Sequence, residues 1–163
     1  MSAALGESRA RLADMHAGDV AEIAAIEAGS YDFPWTAGIF RDCLKAGYRC
    51  RVLRRDGAIL AYGIVSLEAG EAHILNLCVR PQWRGCGWGR YMLDHLLELA
   101  VAAAARRVWL EVRRSNAAAM GLYGAAGFAT AGIRRHYYRK VGGREDALVL
   151  ALDLEAGPAQ AGS

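Results

Sequence analysis

The sequence lacks the marks of several large protein classes. No apolar run reaches the roughly 20 residues a membrane helix needs. The longest, residues 96–105, is too short and contains Glu98. The first residues, Met1-Ser2-Ala3-Ala4-Leu5-Gly6-Glu7, have no basic region followed by an apolar one, so no secretion signal is expected. The four cysteines Cys43, Cys50, Cys78 and Cys86 form no Cys-x-x-Cys pair, and no His-x-x-x-His accompanies them. Zinc or another metal site is therefore not expected, nor a disulfide framework, and the cysteines read as reduced thiols in the cytoplasm. The formal net charge is only +3. That argues against a strongly basic face, so direct nucleic-acid binding is not expected. No internal repeat and no linker interrupts the body of the chain.

What is present suffices for a full core: 54% of the 163 residues are apolar, which excludes disorder. By length the chain is one domain, residues 1–154, followed by a small, polar tail at 155–163 that is expected to be flexible.

One stretch organises the rest. Asn76, Leu77, Cys78 and Val79 end an apolar run. After Arg80-Pro81-Gln82-Trp83 come Arg84, Gly85, Cys86, Gly87, Trp88, Gly89 and Arg90, leading into an amphipathic segment. This reads as strand, glycine-rich loop and helix. Glycine lets the backbone approach a ligand because no Cβ intervenes. A helix start offers unpaired N–H groups and a positive dipole end, which together suit a pyrophosphate. A P-loop is excluded because Gly89 is followed by Arg90-Tyr91 and not Lys-Ser/Thr. A dinucleotide fingerprint starting at Gly85 would need glycine at position 90, which is Arg90. A plain glycine-rich turn capping a helix remains the simpler reading of the loop by itself.

Periodicity gives the surrounding elements. Residues 8–12 form a weakly patterned first strand. Residues 19–28 carry Val20, Ile23, Ala24 and Glu27 at helical spacing, with Gly29 as a stop. An aromatic loop with Tyr31, Phe33 and Trp35 follows, and Thr36 caps a helix running to about Lys45. Strands are expected at 48–53, 59–67 and 72–79, with Asp56-Gly57 as a hairpin turn and Ala69-Gly70 as another. The helix after the glycine loop places Met92, Leu93, Leu96, Leu97, Ala100 and Val101 on one face. Residues 108–113 alternate, with Val108, Leu110 and Val112 opposite Trp109, Glu111 and Arg113. Ser115-Asn116 caps a last helix that ends at Gly127. Two strands, 128–139 and 147–154, are joined through Gly142-Gly143. The fold class is α+β: a mixed, mostly antiparallel central sheet with helices on both faces.

Two residues have the chemistry for acyl transfer to an amine. An α-amine has a pKa of about 8 and must shed a proton before it can attack. Glu111 can accept that proton directly or through a water; taken without context it reads more readily as an outward charge on a half-exposed strand. Tyr123, a normally protonated hydroxyl, can donate to a departing thiolate; it is equally readable as a core tyrosine bonded to a backbone carbonyl.

Taken together, the glycine loop resembles the acetyl-coenzyme A loop of the GNAT N-acetyltransferases. Trp109 to Ala119, Leu122-Tyr123-Gly124-Ala125-Ala126-Gly127-Phe128, Ile133 to Tyr138 and Gly143 to Ala147 resemble the RimI branch of that superfamily, as does Phe33-Pro34-Trp35. Those enzymes acetylate the N-terminal alanine of a small-subunit ribosomal protein. The resemblance covers roughly residues 10–154. It implies a GNAT fold, acetyl-coenzyme A as co-substrate, Glu111 as general base and Tyr123 as general acid. It implies that the backbone of Leu77, Cys78 and Val79 pairs with the pantetheine arm like an added strand. The amides of Arg84, Gly85, Cys86, Gly87, Trp88, Gly89 and Arg90 would hold the pyrophosphate. Asn116 would touch the cofactor near its thioester as well as capping its helix. The bulky Trp88 and Tyr91 depart from the small or aliphatic residues common in such loops. The peptide N-terminus is expected among Tyr31, Phe33, Trp35 and Tyr137, with the aromatic loop alternatively a small satellite core. Glu145 and Asp146 would meet a basic peptide or simply be solvated. Arg134, Arg135, Arg139, Lys140 and Arg144 are likewise solubilising or anion-contacting. Three rival readings stay open: acetylation of lysine or a small amine, a covalent acyl-cysteine route, and a non-catalytic acyl-coenzyme A-binding module.

Overall fold

The structure, a computed structural model, describes residues 9–154. The tail at 155–163, and Ser8 at the expected start of the first strand, lie outside them. Seven strands, β1 (Arg11–Asp14), β2 (Arg49–Arg55), β3 (Ala58–Glu68), β4 (Glu71–Val79), β5 (Arg107–Arg113), β6 (Ala129–Lys140) and β7 (Gly143–Asp153), form one sheet in the order β1-β2-β3-β4-β5-β7-β6. Four helices accompany it: α1 (Val20–Ser30), α2 (Ala37–Lys45), α3 (Trp88–Ala102) and α4 (Ala117–Ala125). The pairs β1/β2, β2/β3, β5/β7 and β6/β7 are antiparallel, and β4/β5 is parallel. This is the α+β, mixed-sheet architecture of a GNAT fold.

Turn chemistry sets the hairpins. Asp56 and Gly57 both adopt positive φ, 52° and 79°, the backbone that matches the right-handed twist of flanking strands. Thr36 caps α2 by accepting a bond from the Ile39 amide at 3.3 Å. Asn116 caps α4 in the same way from Ala119 at 3.1 Å. Gly127, at φ 101°, follows the last turn of α4.

Three boundaries differ from the sequence pattern. Helix α1 runs through Gly29 to Ser30, where the Ser30 hydroxyl donates to the Ile26 carbonyl and the Tyr31 amide still bonds Glu27. Val101 is 62% exposed: it lies about 100° around α3 from the stripe of Met92, Leu93, Leu96 and Ala100. Strand β7 begins at Gly143, four residues before Ala147, because the hairpin with β6 keeps pairing out to Lys140↔Gly143.

The chain divides into two compact units. The first comprises the chain up to Val65 together with Asn76–Leu96. Its core joins Val20, Ile23 and Ile26 of α1, Phe40 of α2, Val52 and Leu53 of β2, Ile59 to Val65 of β3, and Met92, Leu93 and Leu96 of α3. Here α3 lies directly on β3 at Gly63. A Cβ at that glycine would stand 2.9 Å from Leu96 Cδ1 and 3.2 Å from Met92 Cγ. The second unit comprises Ser66–Leu75 and the chain from Leu97 onward. Val108, Leu110 and Val112 of β5 are buried there, with Ala147, Leu148 and Leu150 of β7, Tyr123 and Phe128. The strict alternation in β5 turns Trp109, Glu111 and Arg113 to the opposite side.

Candidate active site

In the second unit, Glu111 is the centre of a polar cluster on that opposite face. Its side chain is 10% exposed, too buried for a merely solvated charge. Oε1 lies 2.8 Å from Nε2 of His73, and Oε2 lies 3.0 Å from Nε of Arg134. Three strands bring these groups together. The short parallel ladder of β4 with β5 places His73 opposite Trp109, and the imidazole stacks on the indole at 3.6 Å with the planes 9° apart. Arg134 reaches Glu111 from β6, on the far side of β7. Burial lowers the His73 pKa, opposed by the Glu111 carboxylate and reinforced by Arg134, so the imidazole is neutral at neutral pH.

A bulge in β6 adds two tyrosines. Between Arg134↔Ala147 and Tyr138↔Glu145 the register slips, and His136 takes φ 52°. The Asp146 carboxylate accepts the His136 amide at 3.0 Å and so holds the bulge; that bond keeps the Asp146 carboxyl below its usual range. Bulges re-aim side chains. Here burial, a hydrogen bond to the Glu111 carboxylate and that carboxylate's charge raise the Tyr137 pKa. Tyr138 is pushed up to about 12 by burial and then by Glu111, with the Arg113 guanidinium 4.5 Å above its ring. Tyr123 of α4 is 7% exposed and packs on Phe128 at 5.5 Å. Burial, then Tyr138, raises its pKa, so its hydroxyl stays protonated. Asn116 spends its Oδ1 on the α4 cap and keeps its side-chain NH2 as a donor.

Glu145 and Asp146 are engaged within the chain. Glu145 accepts from Arg113 at 3.2 Å and from the Ser115 amide and hydroxyl at 3.2 and 3.0 Å. Asp146 pairs with Arg114 at 3.5 Å besides holding His136.

In the first unit, the glycine loop has the expected form. Gly85 and Gly87 sit at φ 78° and 87°, and a Cβ at either would meet nothing within 4 Å. Helix α3 begins at Trp88, so the amides of Trp88, Gly89 and Arg90 fall in its first turn, where no intrahelical acceptor exists. Arg84 folds back so that its Nε donates to the Val79 carbonyl at 3.2 Å, and Arg90 pairs with Asp94 at 2.8 Å. Trp88 meets Tyr91 edge-on at 5.8 Å, and Arg55 lies over both Trp83 and Trp88 at 4.4 and 5.7 Å. This packing accounts for the bulky residues of the loop. Cys86 is exposed, and Cys43, Cys50 and Cys78 are buried free thiols. The ladder that joins β4 to β5 comprises only Glu71↔Arg107, Ala72↔Val108 and His73↔Trp109, which leaves Leu77, Cys78 and Val79 beyond its end.

The first unit also holds a carboxylate that sequence spacing placed on a helix face without identifying its partners. Glu27 is 3% exposed. Oε2 accepts the Trp35 amide at 2.9 Å; Oε1 accepts the Tyr62 hydroxyl at 2.6 Å and the Asn76 side-chain amide at 3.0 Å. The aromatic loop is therefore tied to the core. Trp35 continues the tie by packing on Phe40 at 5.3 Å, while Phe33 is 38% exposed and Tyr31 half-buried. The loop thus divides, Trp35 serving as satellite core and Phe33 standing free to meet another molecule. Among the described residues no cluster of His, Cys, Asp and Glu could hold a metal ion, and no helix is long and apolar enough to cross a membrane.

The sheet order and the family comparison make this an acyltransferase of the acetyl-coenzyme A-dependent type. The chain belongs to the GNAT acetyltransferase family, whose model matches residues 19–128. More particularly, it is 38% identical over 129 residues to the [ribosomal protein bS18]-alanine N-acetyltransferase of Escherichia coli (strain K12), covering 79% of this chain and 87% of that one. It is 32% identical over 144 residues to the enzyme of the same name from Haemophilus influenzae, covering 88% and 98%. The crystal structure of the ribosomal-protein-S18-alanine N-acetyltransferase from Escherichia coli superposes with a TM-score of 0.85 at 34% identity, over 92% of this chain and 97% of that one.

Proposed function

We propose that this chain is a cytoplasmic enzyme that acetylates the α-amine of the N-terminal alanine of ribosomal protein bS18. The similarity to enzymes of that name over most of both chains carries this reading. Acetyl-coenzyme A supplies an acetyl group already activated as a thioester. The amides of Arg84 to Arg90 hold its pyrophosphate, for which the open cradle at Gly85 and Gly87 leaves room. The pantetheine arm adds to the edge of β4 at Leu77, Cys78 and Val79, where the ladder with β5 has ended. Asn116 donates its free NH2 near the thioester. Glu111 takes the proton of the incoming ammonium, leaving the nitrogen lone pair to attack the carbonyl carbon. The tetrahedral intermediate collapses as Tyr123 gives its proton to the departing thiolate. Tyr137, beside Glu111, and Tyr31 and Phe33 of the aromatic loop are the groups offered to the peptide N-terminus, while Trp35 anchors that loop.

Acetyl transfer to two synthetic peptides, read by mass spectrometry, tests this. One begins with the N-terminal alanine of bS18; the other is the same peptide blocked at its N-terminus and carrying a free lysine. Acetylation of the first alone is expected. Acetylation of the second moves the function to lysine. In the same assay Tyr123→Phe is expected to lower kcat by ~10²-fold or more, with the KM for acetyl-coenzyme A little changed.

A further inference from the structure

His73 is 2.8 Å from Oε1 of Glu111, on the same face of the sheet, and is fixed there by its stack on Trp109. Facing this imidazole are Glu111 from β5 and Arg134 from β6, with the Trp109 ring stacked on it. Tyr137 and Tyr138 reach the same carboxylate from β6.

We propose that His73 is a positioning residue of the general base, donating Nε2–H to Oε1 of Glu111 and so fixing the direction in which that carboxylate points. This rests on Glu111 being the base.

The argument is one of geometry and proton balance. When the ammonium N–H bond breaks, its electron pair stays on nitrogen and the proton goes to Glu111, which passes from carboxylate to neutral carboxylic acid. In the tautomer that donates to Glu111, the imidazole already carries hydrogen on the facing nitrogen, so it holds the carboxyl through the transfer and does not itself take the proton. The stack on Trp109 fixes the ring, and with it the direction of the bond. Burial keeps the resting imidazole neutral, so it donates without adding a second positive charge beside Arg134.

Two measurements on the full chain test the pair. In the first, nitrogen-15 NMR follows the His73 imidazole through a pH titration in the wild type and in Glu111→Gln. The imidazole pKa is expected to fall by about one unit or more when the carboxylate is gone; an unchanged titration overturns the pairing whether or not the enzyme acetylates any chosen peptide. In the second, His73→Ala removes the donor and His73→Gln restores an N–H at similar reach. The kcat of His73→Ala is expected to fall ~10–10²-fold with the KM for acetyl-coenzyme A unchanged, and His73→Gln is expected to recover most of that loss. Full wild-type kcat in His73→Ala, or no recovery in His73→Gln, overturns the proposal. If Glu111→Gln also keeps its turnover, the base assignment fails with it; if Glu111→Gln alone is dead, only the role of His73 is lost.

Discussion

The two compact units each enclose a glutamate, and the two are held in opposite ways. Glu27 is sealed and receives only neutral donors: a backbone amide, a phenol and a side-chain amide. Glu111 sits at the surface of its sheet and is gripped by an imidazole and a guanidinium, groups that carry or exchange charge. Neutral donors from three separate segments make Glu27 a staple. An imidazole and a guanidinium hold Glu111 on a face of the sheet that Tyr137 also reaches. The partners, more than the degree of burial, separate the structural residue from the reactive one.

Exchanging the two roles gives the largest expected effects. Glu111→Gln should leave the melting temperature nearly unchanged and lower kcat by ~10²–10⁴-fold. A kinetic assay beside a thermal melt checks both halves, and full turnover in this variant removes Glu111 from the chemistry. Glu27→Ala should do the reverse. It strands the Trp35 amide, the Tyr62 hydroxyl and the Asn76 amide in a buried site, each at a cost of about 1–3 kcal/mol. A total of about 3 kcal/mol or more corresponds to a fall in Tm of roughly 6–12 °C at this chain length. If Glu27→Ala melts like the wild type, the staple is not one.

How much of this was legible in the sequence follows the same division. Local signals were read correctly: the alternation that turns Glu111 away from Val108, Leu110 and Val112, the turn-forming glycines of the loop, the Thr36 and Asn116 caps, the Asp56-Gly57 turn. Glu27 was visible as a residue at core spacing on α1, and a charge on an apolar face is itself a signal. Its three donors were not visible, because they come from residues 8, 35 and 49 positions away. His73 is one polar residue in an apolar strand, and only the parallel register of β4 with β5 brings it to Glu111. Arg134 read as one of a basic group, and Tyr138 as an ordinary strand residue. Their convergence depends on a bulge whose cause, the Asp146 bond to the His136 amide, has no sequence signature. The misplaced Val101 and the helix running past Gly29 are errors of phase and boundary, which packing decides.

Between those two sites the first unit makes a further demand that the second does not. Its helix α3 comes so close to β3 that a Cβ at Gly63 would have to displace the Leu96 side chain. Gly63→Ala should therefore cost about 1–3 kcal/mol through overpacking against Leu96 and Met92. Gly132 of β6 is the control: a Cβ there meets only Val149, at an ordinary 3.9 Å. Denaturant melts of both variants should show a lowered midpoint for Gly63→Ala and a change of less than about 1 kcal/mol for Gly132→Ala. Equal losses in the two would mean that the close approach at β3 is not what selects glycine.

The smallest effects sharpen the comparison most, because two residues of one type of role sit one in each unit. Thr36 and Asn116 are both helix caps, at 3.3 and 3.1 Å from the amides they satisfy. Replacing either by alanine should cost about 1 kcal/mol of stability. Thr36 has only that task, so Thr36→Ala should leave the KM for acetyl-coenzyme A unaltered. Asn116 in our reading also turns its NH2 to the thioester end of acetyl-coenzyme A, and a lost neutral hydrogen bond of about 1 kcal/mol is worth roughly a five-fold change in an equilibrium constant. Asn116→Ala should thus raise that KM several-fold at the same thermal cost as Thr36→Ala. Asn116→Asp, which keeps the capping oxygen but removes the donor, should raise the KM while restoring the melt. If Asn116→Asp recovers both together, Asn116 is a cap alone, and the amide near the thioester must come from another residue.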